Sequence, residues 1–128
     1  MTNACVNQLL QLVETDVRRA DTPPIILLCG SSPQGVENSV YKNIIESVGR
    51  ESFKNIKFFV DCDNLLLKNA VEARPFLIKP NIHEFSRLVD KKFSTNSTFQ
   101  GVDNLCFATF QSFLKVIPNM IIFQSWIT

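Results

Sequence analysis

Five consecutive apolar residues, Ile25-Ile26-Leu27-Leu28-Cys29, stand between Pro23-Pro24 and Gly30, and this bracketed run narrows the available folds more than any other feature. The prolines bar a helix from running into it and the glycine ends it, so it reads as a short strand. A strand apolar at every position is expected to be covered on both faces, as in a parallel sheet flanked by helices. Its neighbours have the helical period. Val6, Leu9, Leu10, Val13 and Val17 precede it at helical spacing, with Arg18 and Arg19 where a helix C-terminus favours positive charge. Val36, Val40, Ile44, Ile45 and Val48 follow it, in a helix expected to close at Gly49.

The alternation then repeats. Ile56 to Val60 reads as a second strand ending at Asp61, and Leu65 to Val71 as a short helix halted by Arg74-Pro75. Phe76 to Lys79 is a third strand, after which Pro80 and Asn81 open a helix with Ile82, Phe85, Leu88 and Val89 on its inner side. Lys91 to Gln100 is polar and reads as a connection, Val102 to Val116 as a further helix, and Asn119 to Phe123 as a last strand. Strands alternating with helices imply parallel pairing through right-handed crossovers. The expected fold is a single α/β domain over residues 1–128, a parallel sheet with alternating helices in a Rossmann-like three-layer core. Ligands of such sheets bind at the carboxyl ends of the strands, here Gly30-Ser31, Asp61 and Lys79 to Asn81.

Charge limits what those ends can hold. Thirteen basic and twelve acidic side chains leave a formal charge of +1, without a basic block that could track a nucleic-acid backbone. No nucleic-acid partner is expected, and an anion would have to be held locally by backbone N–H groups and one or two side chains, a limit that small phosphates meet. Cys5, Cys29, Cys62 and Cys106 lack the close pairing of metal ligands and read as reduced thiols. No apolar run is long enough to span a bilayer, and Met-Thr-Asn-Ala does not begin a secretory signal, so no membrane partner and a cytoplasmic location are expected.

Two constellations could carry chemistry. In Gly30-Ser31-Ser32-Pro33-Gln34-Gly35, glycines let the backbone approach a ligand and serines offer donors, although a plain turn has the same composition. In Ile78-Lys79-Pro80-Asn81 with Glu84, an ammonium, an amide and a carboxylate gather at one helix start, where they could place a magnesium-bound phosphate. Asn81 and Glu84 also have the spacing of a capping box that needs no ligand, and spacing leaves both readings open. His83 reads as a solvated helix residue, Asp61 and Asp63 as structural residues at a strand end, and Phe107, Phe110 and Phe113 as core.

The segment from Cys29 to Ile45, Cys-Gly-Ser-Ser-Pro-Gln-Gly-Val-Glu-Asn-Ser-Val-Tyr-Lys-Asn-Ile-Ile, resembles the Gly-Ser-Leu-Pro-Pro-Gly region of the PfkB-type carbohydrate kinases, which have the ribokinase-like fold. Phe59-Val60-Asp61 and Phe76-Leu77-Ile78-Lys79-Pro80-Asn81-Ile82-His83-Glu84-Phe85 resemble the family's next strand end and its Lys-Pro-Asn-x-x-Glu motif, in the same order and separation. The similarity runs from about Leu9 to Val89 and is strongest to 1-phosphofructokinases and tagatose-6-phosphate kinases. It implies a partial ribokinase-like core and transfer of the γ-phosphoryl of ATP to a phosphorylated sugar. Gly30 and Ser31 would then lie on the sugar-phosphate side, Lys79 would meet the transferring phosphate, and Asn81 and Glu84 would organise magnesium and the ATP phosphates.

Departures accompany the resemblance. Ser32 and Gln34 replace the family's leucine and second proline, while Gly30 and Gly35 remain. The family's sugar-binding half and lid sheet have no counterpart here, nor does its Gly-Ala-Gly-Asp segment with the catalytic base. No catalytic residue is therefore assigned, and the isolated chain is expected to lack appreciable kinase activity. Uncovered core phenylalanines would then form an apolar surface favouring self-association. The alternative is a non-catalytic phosphate- or nucleotide-binding or interaction module. A receiver domain would need an acidic pair after the first strand, where Cys29-Gly30 stands.

Overall fold

The computed structural model describes residues 3–51, 55–92, 112 and 121–122. In chain order these form α1 (Asn3–Arg19), β1 (Ile25–Cys29), α2 (Val40–Glu51), β2 (Lys57–Asp61), α3 (Asn64–Glu72), β3 (Leu77–Ile78), α4 (Ile82–Val89) and β4 (Ile121–Ile122). The strands make one sheet in the order β1-β2-β3-β4, and every pairing is parallel. The α/β class and the parallel sheet expected from the sequence are present. The expected helix over Val102 to Val116 and the outer parts of the last strand lie outside the described residues.

Neighbouring strands that follow one another in sequence must be joined by crossovers of the same hand, which places the connecting helices on one side of the sheet. Helices α1, α2, α3 and α4 accordingly pack in series, each against the next. They cover the face bearing Leu28, Phe58, Val60 and Ile78, and the core between the layers includes Ile44, Val48, Leu67 and Ala70. Phe85 from α4 and Ile78 are both 0% exposed, each worth about 1.5–3 kcal/mol of apolar burial.

The described residues leave the other face partly open. Ile25 and Leu27 of β1 are 60% and 63% exposed, and no described residue covers that side of the strand. Among the described residues the helices supply one layer and the sheet a second. An unbroken apolar run cannot reveal which face lacks a neighbour, because it carries no alternation to read.

The second helix also differs from its expected span. It starts at Val40, after turns closed by Val36 N–H to the Pro33 carbonyl (3.1 Å) and Val40 N–H to the Glu37 carbonyl (3.1 Å). Val36 packs against the core from the loop, which accounts for its apolar character without placing it in the helix. Gly49 lies inside α2 rather than at its close, and Val48 beside it is 1% exposed. Burial of that turn outweighs the roughly 1 kcal/mol penalty of a helical glycine.

Candidate functional site

The strand register brings the carboxyl ends together. Cys29 lies beside Asp61 and Val60 beside Ile78, while Gly30 N–H donates to the Asp61 carbonyl at 3.0 Å and Lys79 N–H to that of Val60 at 3.2 Å. The Ser31 turn and the Asn81 helix start consequently occupy the same rim of one parallel sheet. A cleft of about 430 Å³ opens there, walled by Gly30, Ser31, Ser32 and Asn38 from the first loop, Asp61 to Leu66 from the second, and Glu84 from α4.

Gly30 has φ +85°, a conformation that strains any residue with a Cβ. The Tyr41 hydroxyl ties this corner down by donating to the Cys29 carbonyl at 2.7 Å, with the Gly30 carbonyl 3.2 Å away. Burial, helped by the neighbouring thiols Cys62 and Cys29, raises the Tyr41 pKa, so the hydroxyl keeps the proton it donates.

At the other motif the capping box is fully formed. The Asn81 side-chain oxygen accepts from Glu84 N–H at 2.8 Å, and Glu84 accepts from the Asn81 backbone N–H and side-chain amide, both at 3.2 Å. Lys79 does not wall the cleft; its Nζ lies 3.6 Å from an oxygen of Asp61, which does. Asn81 likewise stands beside the cleft and reaches it through Glu84. Of the residues singled out from sequence, Gly30, Ser31 and Glu84 thus line the cavity, and Lys79 and Asn81 back it.

Asp61 and Asp63 also face the cleft, although the sequence reading gave them structural roles only. Asp63 caps α3 by accepting from Asn64 N–H at 2.7 Å, and both its oxygens are engaged by the Arg87 guanidinium, Nε at 3.2 Å. Burial acts to raise its pKa, but the Arg87 hydrogen bond and charge, with the Asn64 N–H, outweigh it and hold the carboxyl below its usual range. An Asp directly before the apolar run of a helix is a readable cap signal. Its bond to Arg87, 24 residues away, has no local signature.

Cys62, on the cavity wall, is pushed up to about 12, first by burial and then by the carboxylates Asp61, Glu84 and Asp63. It is a protonated, inert thiol at neutral pH. Exposed Cys29 is also free, and Cys5 forms no disulfide; Cys106 lies outside the described residues. No group of three His, Cys, Asp or Glu side chains arranged to hold a metal occurs among the described residues, and none of their helices is long and apolar enough to cross a membrane.

No family model matches the chain. A 1-phosphofructokinase of Borreliella burgdorferi is 26% identical over 85 residues, covering 66% of this chain and 26% of the relative. A 1-phosphofructokinase of Bacillus subtilis is 33% identical over 64 residues, 50% of this chain and 20% of the relative. The fold agrees with the crystal structure of phosphofructokinase-2 from Escherichia coli in complex with potassium, at a TM-score of 0.63 and 22% identity over 84% of this chain and 32% of that one. The chain matches part of a PfkB-type carbohydrate kinase. It spans about a quarter of the curated PfkB-type relatives. Within that span the α/β, ribokinase-like core carries the strand-end loops on which the resemblance rests.

Proposed function

We propose that this chain supplies the central portion of an ATP-dependent sugar-phosphate kinase, passing the γ-phosphoryl of ATP to a hydroxyl of a phosphorylated ketohexose, in the cytoplasm. The observation carrying this reading is the common rim, where the Gly30 turn bonds to Asp61 and Lys79 reaches the same aspartate from β3. In this role Gly30 and Ser31 bind the sugar phosphate, Lys79 neutralises the transferring phosphate, and Asn81 and Glu84 orient the ATP phosphates with their magnesium ion.

The residues present fit magnesium only as outer support. Asn81 and Glu84 already bond each other, so the ion would be carried mainly by nucleotide phosphates and retained water, with the Glu84 carboxylate beyond that water. Bound there, the ion would offset phosphate charge, while Lys79 and the backbone of the Gly30 turn fix position. Transfer also needs a base for the acceptor hydroxyl and an N–H cradle for the developing charge. On this reading the chain supplies neither as far as its residues are assigned, and alone it should lack appreciable kinase activity.

Purified chain given ATP, magnesium and fructose 1-phosphate or tagatose 6-phosphate should form no bisphosphate above background; clear turnover refutes the inactivity. Calorimetric titration with magnesium-ATP should give a binding heat that Lys79→Ala abolishes. Absence of heat in the parent chain would favour the second reading, a non-catalytic interaction module, which the self-contained Asn81–Glu84 and Lys79–Asp61 pairs also support.

A further inference from the structure

Two successive carbonyls converge on one hydroxyl where β1 ends. Tyr41 donates to the Cys29 carbonyl at 2.7 Å, and the Gly30 carbonyl lies 3.2 Å from the same hydroxyl oxygen. Along an extended strand neighbouring carbonyls point in opposite directions, so this convergence requires the chain to turn between them. Gly30 makes the turn at φ +85°, a conformation open to glycine at little cost. Tyr41 reaches the corner from the first turn of α2, with its ring packed against the core.

In a planar trans peptide the C=O and the N–H point in opposite directions, so fixing one fixes the other. The Cys29–Gly30 peptide is held at both ends: its carbonyl accepts from Tyr41 and its N–H donates to the Asp61 carbonyl at 3.0 Å. The Gly30–Ser31 peptide is held at one. Its carbonyl faces Tyr41, so the Ser31 N–H faces away, and that N–H donates to no acceptor among the described residues. Ser31 walls the cleft and Tyr41 does not. Glycine would let this peptide rotate, presenting an anion with a carbonyl oxygen in place of a donor. We infer that Tyr41 is a positioning residue for the sugar-phosphate side of the cleft, its hydroxyl holding the Gly30 carbonyl back so that the Ser31 N–H meets an anionic oxygen of the ligand. The inference rests on the sugar-phosphate role proposed for Gly30 and Ser31. The nucleotide side has its own bonds, between Asn81 and Glu84 and between Lys79 and Asp61, and none to Tyr41 among the described residues.

Tyr41→Phe removes the hydroxyl and keeps the packed ring, so the variant should fold, which circular dichroism checks. Calorimetric titration with fructose 1-phosphate should show binding about tenfold weaker than in the parent, the loss expected for one hydrogen bond to a charged group, while magnesium-ATP affinity stays within about twofold. A tyrosine that only stabilised the domain would change both affinities alike or neither. Tyr41 is the only tyrosine of the chain, so fluorotyrosine labels this position alone without relying on a substitution. Its fluorine NMR signal should shift when fructose 1-phosphate is added and stay in place with magnesium-ATP. Undiminished fructose 1-phosphate binding in Tyr41→Phe, a loss shared equally with magnesium-ATP, or a fluorine signal indifferent to fructose 1-phosphate overturns the inference and leaves the kinase reading standing. A parent chain without affinity for fructose 1-phosphate overturns the inference together with the sugar-phosphate role of Gly30 and Ser31.

Discussion

Replacing Asn81 with alanine separates two roles that coincide at this residue. In the structure its side-chain oxygen takes the Glu84 N–H at 2.8 Å, and Glu84 returns the bond to the Asn81 backbone N–H at 3.2 Å. Truncation to alanine removes the first bond outright and leaves the Glu84 carboxylate without the amide that orients it. Deleting such a cap costs about 1 kcal/mol, within a range of roughly 0.5–2. Both groups are part-buried and α4 docks through the fully buried Phe85, so water replaces the lost bond poorly. The expected loss is therefore about 1–2 kcal/mol, or a fall in Tm of roughly 3–8 °C for a domain of this size.

Asn81→Ser keeps an oxygen able to cap and should stay within about 0.5 kcal/mol of the parent. Urea titration followed by circular dichroism reads both variants, with equal m-values showing that the unfolded state is unchanged. If Asn81 also orients nucleotide phosphates, Asn81→Ser should keep its stability and lose magnesium-ATP affinity. Equal stability of parent and Asn81→Ala would refute the capping energetics. A serine variant as unstable as the alanine one would show that the amide donor to Glu84, and not the cap, supplies the energy.

Gly30→Ala should destabilise by about 1–2 kcal/mol through backbone strain alone, because a Cβ there meets nothing within 4 Å while φ is +85°; an unchanged urea midpoint would contradict this. Gly49→Ala should stabilise by about 0.5–1 kcal/mol, since the new methyl makes ordinary contact with Phe58 at 3.8 Å inside α2, and a lower midpoint would count against it. Under native conditions at neutral pH, iodoacetamide should label exposed Cys29 and spare Cys62, whose thiol titrates at about 12; peptide mass mapping decides, and rapid Cys62 labelling would refute its burial. Asp63, depressed by Arg87 in the folded state, stabilises the fold above the unfolded carboxylate pKa of about 3.9, and that contribution fades as pH falls through its lower folded value. Asp63→Asn should thus flatten the acid limb of the stability curve, by no more than about 1 kcal/mol because the pair is partly exposed.

The elements most legible in the sequence were those bounded by residues that can do little else. Pro23-Pro24 and Gly30 confine β1 to the five residues it occupies, and the Asn81-x-x-Glu84 spacing specifies the start of α4. Periodicity misled where an apolar residue serves a loop, as at Val36, or where glycine is carried inside a helix by a buried neighbour, as at Gly49. The cleft was half legible. Gly30, Ser31 and Glu84 line it as their motifs suggested, whereas Asp61 and Asp63 take part through bonds to Lys79 and Arg87 that exist only once the strands are aligned. Local spacing carries no information about such contacts across the sheet.

Charge at the rim bears on what can enter. The cleft is walled by the carboxylates Asp61, Asp63 and Glu84, while the nearby cations Lys79 and Arg87 are each engaged by one of these acids. A bare phosphate approaching this wall meets net negative charge, opposed by neutral donors such as Ser31, Ser32 and Asn38. An anion arriving with a divalent cation faces the reverse situation, because the acids that repel phosphate attract the metal and Lys79 can leave Asp61 for the phosphate. Under the kinase reading, ATP should therefore bind far more weakly in excess EDTA than with magnesium. Equal affinity in the two conditions would mean that the carboxylates do not face the bound nucleotide.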